Sequence, residues 1–220
     1  MLQEVESRRD AHEPRGPFPA HPRPTDGEIR ALWQAMDVSN RLSQAMKLIL
    51  RLAILTGQRR SEVAGARVDE LVGANWIIPA DVVKRATIAK EGRMKNGTEQ
   101  RINLSAEAAA LFREAVIDCS DGTYLFPAND RRIAEGKRTR LPHIHGESVT
   151  MAMSRLREDA GIEDITVHDM RRAMGNWLKD NGHGREVRDL MLSHQDQSVD
   201  AQHYSNSARM ESQCREAWQA

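Results

Sequence analysis

The sequence predicts a mainly helical α+β domain with one small antiparallel three-stranded sheet. Apolar residues recur at helical spacing in both halves of the chain, whereas short β-branched and aromatic runs lie between residues 68 and 104. Asn96-Gly97, a dipeptide typical of tight hairpins, lies among these runs. We therefore expect helices packed around one core, with the sheet inserted near the first third of the chain.

Capping and breaking signals define the first two helices. Thr25 and Glu28 have the spacing of a capping box, which predicts a helix that extends to about Met36. Residues 42–55 are apolar around the whole helical circumference, so this second helix is expected to run through the core. Gly57 is expected to end it.

The remaining elements follow from the same kinds of signal. Thr166 and Asp169 predict a second capping box, and Met170, Met174 and Trp177 form the expected apolar stripe of the helix that follows. Further helices are predicted over residues 61–66, 105–115, 148–160, 166–180, 185–192 and 208–219, and strands over residues 76–78, 82–83 and 101–104.

The composition bounds the class of protein. The chain has 220 residues, of which 40% are hydrophobic, enough for the core of one main domain. Residues 1–24 are rich in proline without an apolar period, which indicates a linker or tail, and we expect the domain over residues 25–220. No apolar run approaches the roughly 20 residues of a membrane span. We expect a soluble cytoplasmic protein without a membrane partner. The spacing of Cys119 and Cys214 indicates neither a disulfide nor a metal site.

The charge gives no global sign of nucleic-acid binding, because 32 basic and 32 acidic residues leave the chain neutral. Basic side chains are nevertheless concentrated in two segments. The guanidinium fork of arginine suits bidentate contact with phosphate, although a solvated surface has a similar composition. The candidate DNA contacts are Lys84, Arg85, Lys90 and Arg93 in the first segment and Arg131, Arg132, Lys137, Arg138 and Arg140 in the second.

Four short motifs carry the candidate chemistry. His168 and Arg171 lie three residues apart near a helix N-terminus, where backbone amides favour an anion. Arg59 follows a helix break, and Glu62 lies one turn further on, where it can orient the guanidinium. The other two motifs are Leu192-Ser193-His194 and Tyr204. Taken singly, each motif also fits an ordinary surface ion pair, a helix cap or a packing tyrosine.

In this order, the motifs resemble the tyrosine recombinase family, the phage-type integrases that cut and rejoin DNA through a phosphotyrosine. The resemblance covers residues from about 25 to 215. The matches are TGxRxxE at Thr56, Gly57, Arg59 and Glu62; HxLRR at His168, Arg171 and Arg172, with Met170 in place of leucine; the LSH box at Leu192 to His194; Tyr204 ten residues later; and a strand-turn lysine, Lys95, within Arg93-Met94-Lys95-Asn96-Gly97.

The resemblance implies the catalytic-domain fold of these DNA breaking-rejoining enzymes and a role for each residue. Arg59 and Arg171 would clamp the non-bridging phosphate oxygens, where charge accumulates in the transition state. Tyr204 would be the nucleophile, with His168 as the candidate base, and His194 would donate a hydrogen bond to the phosphate. Because a phosphotyrosyl bond retains the energy of the broken phosphodiester, we expect neither a metal nor a cofactor.

The general acid is the least well defined of these residues. Lys95 matches the family's position, but Gln100 and Asn103 stand where related integrases often carry a histidine and a proline. Lys90 and Lys84 are therefore alternatives. Arg172 is counted among the DNA contacts.

The resemblance also concerns domains and partners. Full-length integrases resemble this chain only in their C-terminal part, so we expect the N-terminal core-binding and arm-binding domains to be absent and residues 1–24 to be the end of a linker. The implied partners are double-stranded DNA and other protomers, as a tetramer on DNA and a monomer when free. The helix over 208–219 packs either on its own domain or on a neighbouring protomer.

Three functions remain open at this point. Site-specific recombination, as integration or excision by a phage or mobile element, fits all the motifs. A non-catalytic DNA-binding or assembly module of the same fold is favoured by the zero net charge and the missing domains. A type IB topoisomerase shares the arginine, histidine and tyrosine chemistry, but the LSH box favours an integrase.

Overall fold

The computed structural model describes residues 23–80, 99–119, 122–128, 142–192 and 208–219. Within these ranges the architecture is mainly helical with one three-stranded antiparallel sheet, which confirms the predicted fold class. The helices are α1 (Asp26–Val38), α2 (Gln44–Thr56), α3 (Arg60–Ala64), α4 (Ala106–Ile117), α5 (Gly146–Ala160), α6 (Val167–Asp180), α7 (Arg185–Met191) and α8 (Ala208–Gln219), and the strands are β1 (Leu71–Val72), β2 (Asn75–Ile78) and β3 (Gln100–Asn103).

Both predicted capping boxes are present. At the start of α1, the Glu28 amide donates to Thr25 Oγ1 at 3.2 Å and the Thr25 amide donates to the Glu28 carboxylate at 2.7 Å. At the start of α6, Thr166 and Asp169 exchange the same two bonds at 3.3 and 3.0 Å. These bonds satisfy amides that the first helical turn leaves without partners, so the local sequence sets where both helices begin.

The sheet differs in one strand from the expectation. Strands β2 and β3 coincide with the predicted runs, and their register places Trp76 opposite Ile102 and Ile78 opposite Gln100. The third strand is β1, which pairs with β2 through a turn at Gly73. A two-residue strand leaves too short a pattern to be predicted. The predicted strand at residues 82–83 and the turn at 96–97 lie outside the described residues.

Helix α2 lies at the centre of the core, as its apolar circumference predicts. Leu48, Ile49 and Leu52 are completely or almost completely buried, and α2 contacts α3, α4, α5 and α6. The sheet joins this core through Trp76, whose ring centroid lies 5.1 Å from that of Phe112 on α4. The buried helix α2 thus holds its C-terminal end, and the loop that follows, in a fixed place among four other helices.

The C-terminal helix packs on its own chain. Helix α8 contacts α7 and β3, and it buries Cys214, Ala217 and Trp218. This arrangement places α8 against the two elements that flank the candidate site.

Helix α6 departs from its predicted stripe. Met170 is buried as expected, but Trp177 is 37% exposed, and Leu178 is the buried residue on the last turn. The expectation for Trp177 is therefore wrong, because the packed face of α6 is rotated by one residue at this end. Among the described residues, no helix has the length and apolar character that crossing a membrane requires.

Candidate active site

The site begins where helix α2 ends. Gly57 caps this helix in the left-handed conformation, with φ of 61°. A Cβ atom at Gly57 would lie 2.9 Å from Met174 Cγ and 3.1 Å from a methyl carbon of Leu192. Both the conformation and the close packing therefore require glycine at this position. The turn delivers the next two residues to the start of α3.

Arg59 is held by a buried carboxylate. Its Nη1 lies 2.7 Å from Glu62 Oε1, and its backbone amide donates to Glu62 Oε2 at 2.8 Å. The Glu62 side chain is fully buried, whereas the Arg59 side chain is 25% exposed. The interpretation as an exposed surface ion pair is therefore wrong. Glu62 holds one edge of the guanidinium from the interior of the protein, while the partly exposed arginine remains accessible to a ligand.

Arg171, on α6, reaches the turn that carries Arg59. Arg171 is only 3% exposed, and its Nη1 donates to the Gly57 carbonyl at 2.8 Å. Its Nη2 is buried and has no hydrogen-bond partner in the part of the chain that the structure describes. Burial first and the nearby positive charge of Arg59 second lower the Arg171 pKa to about 10, whereas Glu62 opposes the shift. The free protein thus holds an incompletely satisfied cation beside a second cation.

His168 lies at the surface one turn before Arg171. Partial burial lowers its pKa first, and the charge of Arg171 adds to this effect. Asp169 acts in the opposite direction, while Arg172 and Arg59 lower the pKa further. The imidazole is therefore mostly neutral at pH 7, and a neutral imidazole has a nitrogen that accepts a proton.

Asp169 has a structural role in addition to its charge. It is buried, and its carboxylate accepts hydrogen bonds from the backbone amide and hydroxyl of Thr166 at 3.0 and 2.6 Å. Arg172 Nη1 lies 3.5 Å from Asp169 Oδ1, and the Arg172 side chain is half exposed. Asp169 thus fixes the first turn of α6, from which His168 projects into solvent and Arg171 into the protein.

Two buried glutamines near the site were not among the predicted site residues. Gln58 Nε2 and Gln100 Nε2 donate to the same backbone carbonyl, that of Met191, at 3.0 and 2.6 Å. A signal for Gln100 was present in the sequence, because the alternation of β3 places it on the same face as the buried Ile102. A signal for Gln58 was its position between a helix break and Arg59.

The structure brings together Arg59, Glu62, Arg171 and His168 of the predicted site, and it places Arg172 at the exposed edge. Several other predicted residues lie outside the described ranges: Tyr204, His194, Lys95, Lys84, Arg85, Lys90, Arg93, Arg131, Arg132, Lys137, Arg138 and Arg140. Among the residues that are described, no cluster of three or more histidine, cysteine or acidic side chains could hold a metal ion.

The comparison with known proteins identifies the family to which this helical frame belongs. The model of the phage integrase family matches residues 23–211. The chain belongs to this family. No curated protein sequence matches the chain.

Solved structures of integrases share the fold of this family member. The integrase from mycobacterium phage Brujita has a TM-score of 0.65 at 15% identity, over 93% of this chain and 59% of that protein. The XerA recombinase has a TM-score of 0.57 at 18% identity, over 92% and 65%. The catalytic core of lambda integrase has a TM-score of 0.57 at 15% identity, over 80% and 94%. This chain therefore spans about three fifths of the first two proteins and nearly all of the lambda catalytic core.

Proposed function

We propose that this integrase-family protein is a site-specific tyrosine recombinase, which cuts and rejoins DNA through a covalent 3′-phosphotyrosine intermediate. The observation that carries the proposal is the state of Arg171. Its guanidinium is buried, one of its nitrogens has no partner among the described residues, and a second arginine lies near enough to depress its pKa. A buried cation in this state is unfavourable unless an anion completes the site.

A phosphodiester is the anion that fits best. Arg59 and Arg171 carry two positive charges and Glu62 carries one negative charge, so the cluster has one net positive charge that a phosphodiester neutralises. Two guanidinium groups offer planar pairs of donors to the two non-bridging oxygens. Since charge accumulates on these oxygens during attack at phosphorus, the same contacts strengthen in the transition state.

The proposed chemical step takes the roles of Tyr204, His194 and Lys95 from the resemblance to tyrosine recombinases. The Tyr204 hydroxyl oxygen attacks phosphorus, the bond from phosphorus to the 5′-oxygen breaks, and the 3′-phosphate stays on the tyrosine. His168, kept mostly neutral by its lowered pKa, takes the phenolic proton. Lys95 supplies a proton to the leaving 5′-oxygen, with Lys90 and Lys84 as alternatives, and His194 donates a hydrogen bond to the phosphate. Attack by a 5′-hydroxyl reverses the steps and rejoins the strand.

The proposed partners are double-stranded DNA and further copies of the chain. Arg172, half exposed at the edge of the site, would contact the DNA backbone together with the two basic segments. Lambda integrase, at 15% identity and a TM-score of 0.57, is described as a tetramer bound to a Holliday junction. We propose the same kind of assembly on DNA for this chain, with a monomer in its absence.

The decisive experiment traps the covalent intermediate. Because the recombination site is unknown, the full chain is incubated with a pool of nicked duplexes of randomised core sequence, in which the cut end diffuses away and prevents religation. A protein–DNA adduct that survives denaturation is expected for the wild type and not for Tyr204→Phe. We expect Arg59→Ala and Arg171→Ala to reduce adduct formation by about 10²- to 10³-fold each.

Two further arms separate the competing functions. Adduct formation should persist in EDTA, because the tyrosine route requires no metal; its loss on chelation would contradict this mechanism. Relaxation of supercoiled DNA without strand exchange would indicate a topoisomerase. If the protein binds DNA but forms no adduct with any sequence in the pool, the result would indicate a binding or assembly module.

A further inference from the structure

The C-terminal end of helix α7 is held by two side-chain amides from distant parts of the chain. Gln58 Nε2 donates to the Met191 carbonyl at 3.0 Å and to the Thr56 carbonyl at 3.0 Å. Gln100 Nε2 donates to the Met191 carbonyl at 2.6 Å and to the Leu190 carbonyl at 3.4 Å. The last carbonyls of a helix have no partner within the helix, so these amides satisfy groups that would otherwise be buried without one.

Both glutamines are almost fully buried, with 1% and 4% of their surface exposed. Burying an amide is unfavourable unless its hydrogen bonds are made. Gln58 meets this requirement only in part, because its Oε1 is buried without a hydrogen-bond partner among the described residues. A leucine or methionine would avoid that cost. The position of Gln58 is thus better explained by the geometry that its amide imposes than by its contribution to folding stability.

The two glutamine amides and the Met191 carbonyl, together called the clamp, lie next to segments that carry proposed catalytic residues. Gln58 directly precedes Arg59, and Gln100 is the first residue of the strand that follows the Lys95 segment. Met191 is the last residue of α7, and Leu192 caps that helix.

Leu192 shows that the chain after Met191 enters a tightly packed place. It is 3% exposed, and its methyl carbons come within 3.1 Å of where a Cβ would stand on Gly57 or on Gly175. The two amides donate hydrogen bonds to the Met191 carbonyl, and the side chain of Leu192 packs against the Gly57 turn. The C-terminal end of α7 is therefore fixed relative to the loop that carries Arg59.

We propose that Gln58 and Gln100 are positioning residues, which hold the Met191 carbonyl and thereby fix the loop that carries Arg59 beside Arg171. This inference rests on the proposed recombinase function. In each single variant the carbonyl keeps one donor, and only the double variant leaves it without both. The two substitutions should therefore act non-additively, with the large effect in the double variant.

The test uses the full chain with Gln58→Met, Gln100→Met and the double variant, with Asn103→Ala as the matched control. Asn103 lies on the same strand as Gln100, but its amide bonds to Asn75 instead of α7. We expect each single change to slow cleavage by less than about 10-fold and the double change by about 100-fold, the scale of a misplaced catalytic group. Non-covalent DNA affinity and the Asn103→Ala rate should stay near wild type.

A second background separates positioning from general damage. In an Arg59→Ala variant the double glutamine change should cause little further loss, since the residue that it misaligns is already absent. An equal 100-fold loss in both backgrounds would overturn the proposal.

Nuclear magnetic resonance decides the matter without catalysis. The Arg59 Nε–Hε resonance of the free protein should shift in the double variant by more than the sum of the two single shifts, while that of Arg41, which pairs with Asp159 on α5, should not. An unchanged Arg59 resonance would refute the clamp whether or not the protein cuts DNA. Failure of the wild type to form a Tyr204 adduct would instead refute the recombinase function and leave this readout intact.

Discussion

Replacing Arg171 by methionine should stabilise the free protein while it abolishes DNA cleavage. The methionine retains the apolar stem of the side chain and removes a buried charge. It also removes the hydrogen bond to the Gly57 carbonyl and the repulsion between Arg171 and Arg59. The sign of the stability change depends on which of these effects is larger.

The magnitude follows from the pKa of Arg171, which falls from its ordinary value to about 10 in the folded protein. This fall corresponds to about 3 kcal/mol at about 1.4 kcal/mol per pKa unit. Below pH 10 the folded and unfolded chains both carry the proton, so the whole cost applies at pH 7 and it declines only as the pH rises above about 10. Loss of the bond to Gly57 offsets about 1.5–3 kcal/mol. We therefore expect a net gain of about 1 kcal/mol.

Thermal unfolding of Arg171→Met checks this value. A gain of about 1 kcal/mol raises the Tm of a chain of this size by about 2–4 °C. Arg172→Met is the matched control, because this neighbour is half exposed and its ion pair with Asp169 at 3.5 Å contributes about 0–1 kcal/mol. Inorganic phosphate should raise the Tm of the wild type more than that of Arg171→Met. A Tm for Arg171→Met below that of the control would refute the claim that the charge is held at a cost.

Three further outcomes are expected. Gly57→Ala should lower the free energy of unfolding by about 2–4 kcal/mol in denaturant titration, because the left-handed φ is combined with a distance of 2.9 Å from the added Cβ to Met174 Cγ. In the control Gly161→Ala, φ is 66° and no atom lies within 4 Å of the added Cβ, so the loss should be only about 1 kcal/mol. The cleavage rate should rise with pH to a plateau, with a midpoint below pH 6.5, and His168→Gln should lose this acid limb; an unchanged profile would remove His168 as the base. Trp218→Ala should destabilise the chain by about 3–5 kcal/mol in the absence of DNA, and no loss of stability would contradict the packing of α8 on its own chain.

The sequence predicts those parts of the fold that depend on local signals. The capping boxes at Thr25 and Thr166 and the apolar circumference of α2 reflect hydrogen bonds and burial that are encoded within a few residues. Strand β1 escapes prediction because two residues have no period, and the pairing that defines it comes from β2.

The candidate site likewise has features that the sequence predicts and features that it does not. The motifs predict Arg59, Glu62, Arg171 and His168 as site candidates, because their spacing along one loop and one helix turn is visible in the sequence. Their burial is not visible there: Glu62 and Arg171 are inside the protein, whereas the sequence spacing fits a surface ion pair equally well. The packing of α2 against α6 determines that these side chains are buried.

Four consecutive residues at the end of α2 join the elements of the site through different groups. The Thr56 carbonyl accepts from Gln58, the Gly57 carbonyl accepts from Arg171 on α6, the Gln58 amide holds α7, and Arg59 binds Glu62 on α3. Three of these contacts use backbone carbonyls, those of Thr56, Gly57 and Met191, which no motif of side chains can represent. The position of the buried cation on α6 is therefore set by the path of this turn, and the turn is possible only with glycine at its second residue. A change at Gly57 should consequently displace both arginines together, whereas a change at Glu62 should release Arg59 alone.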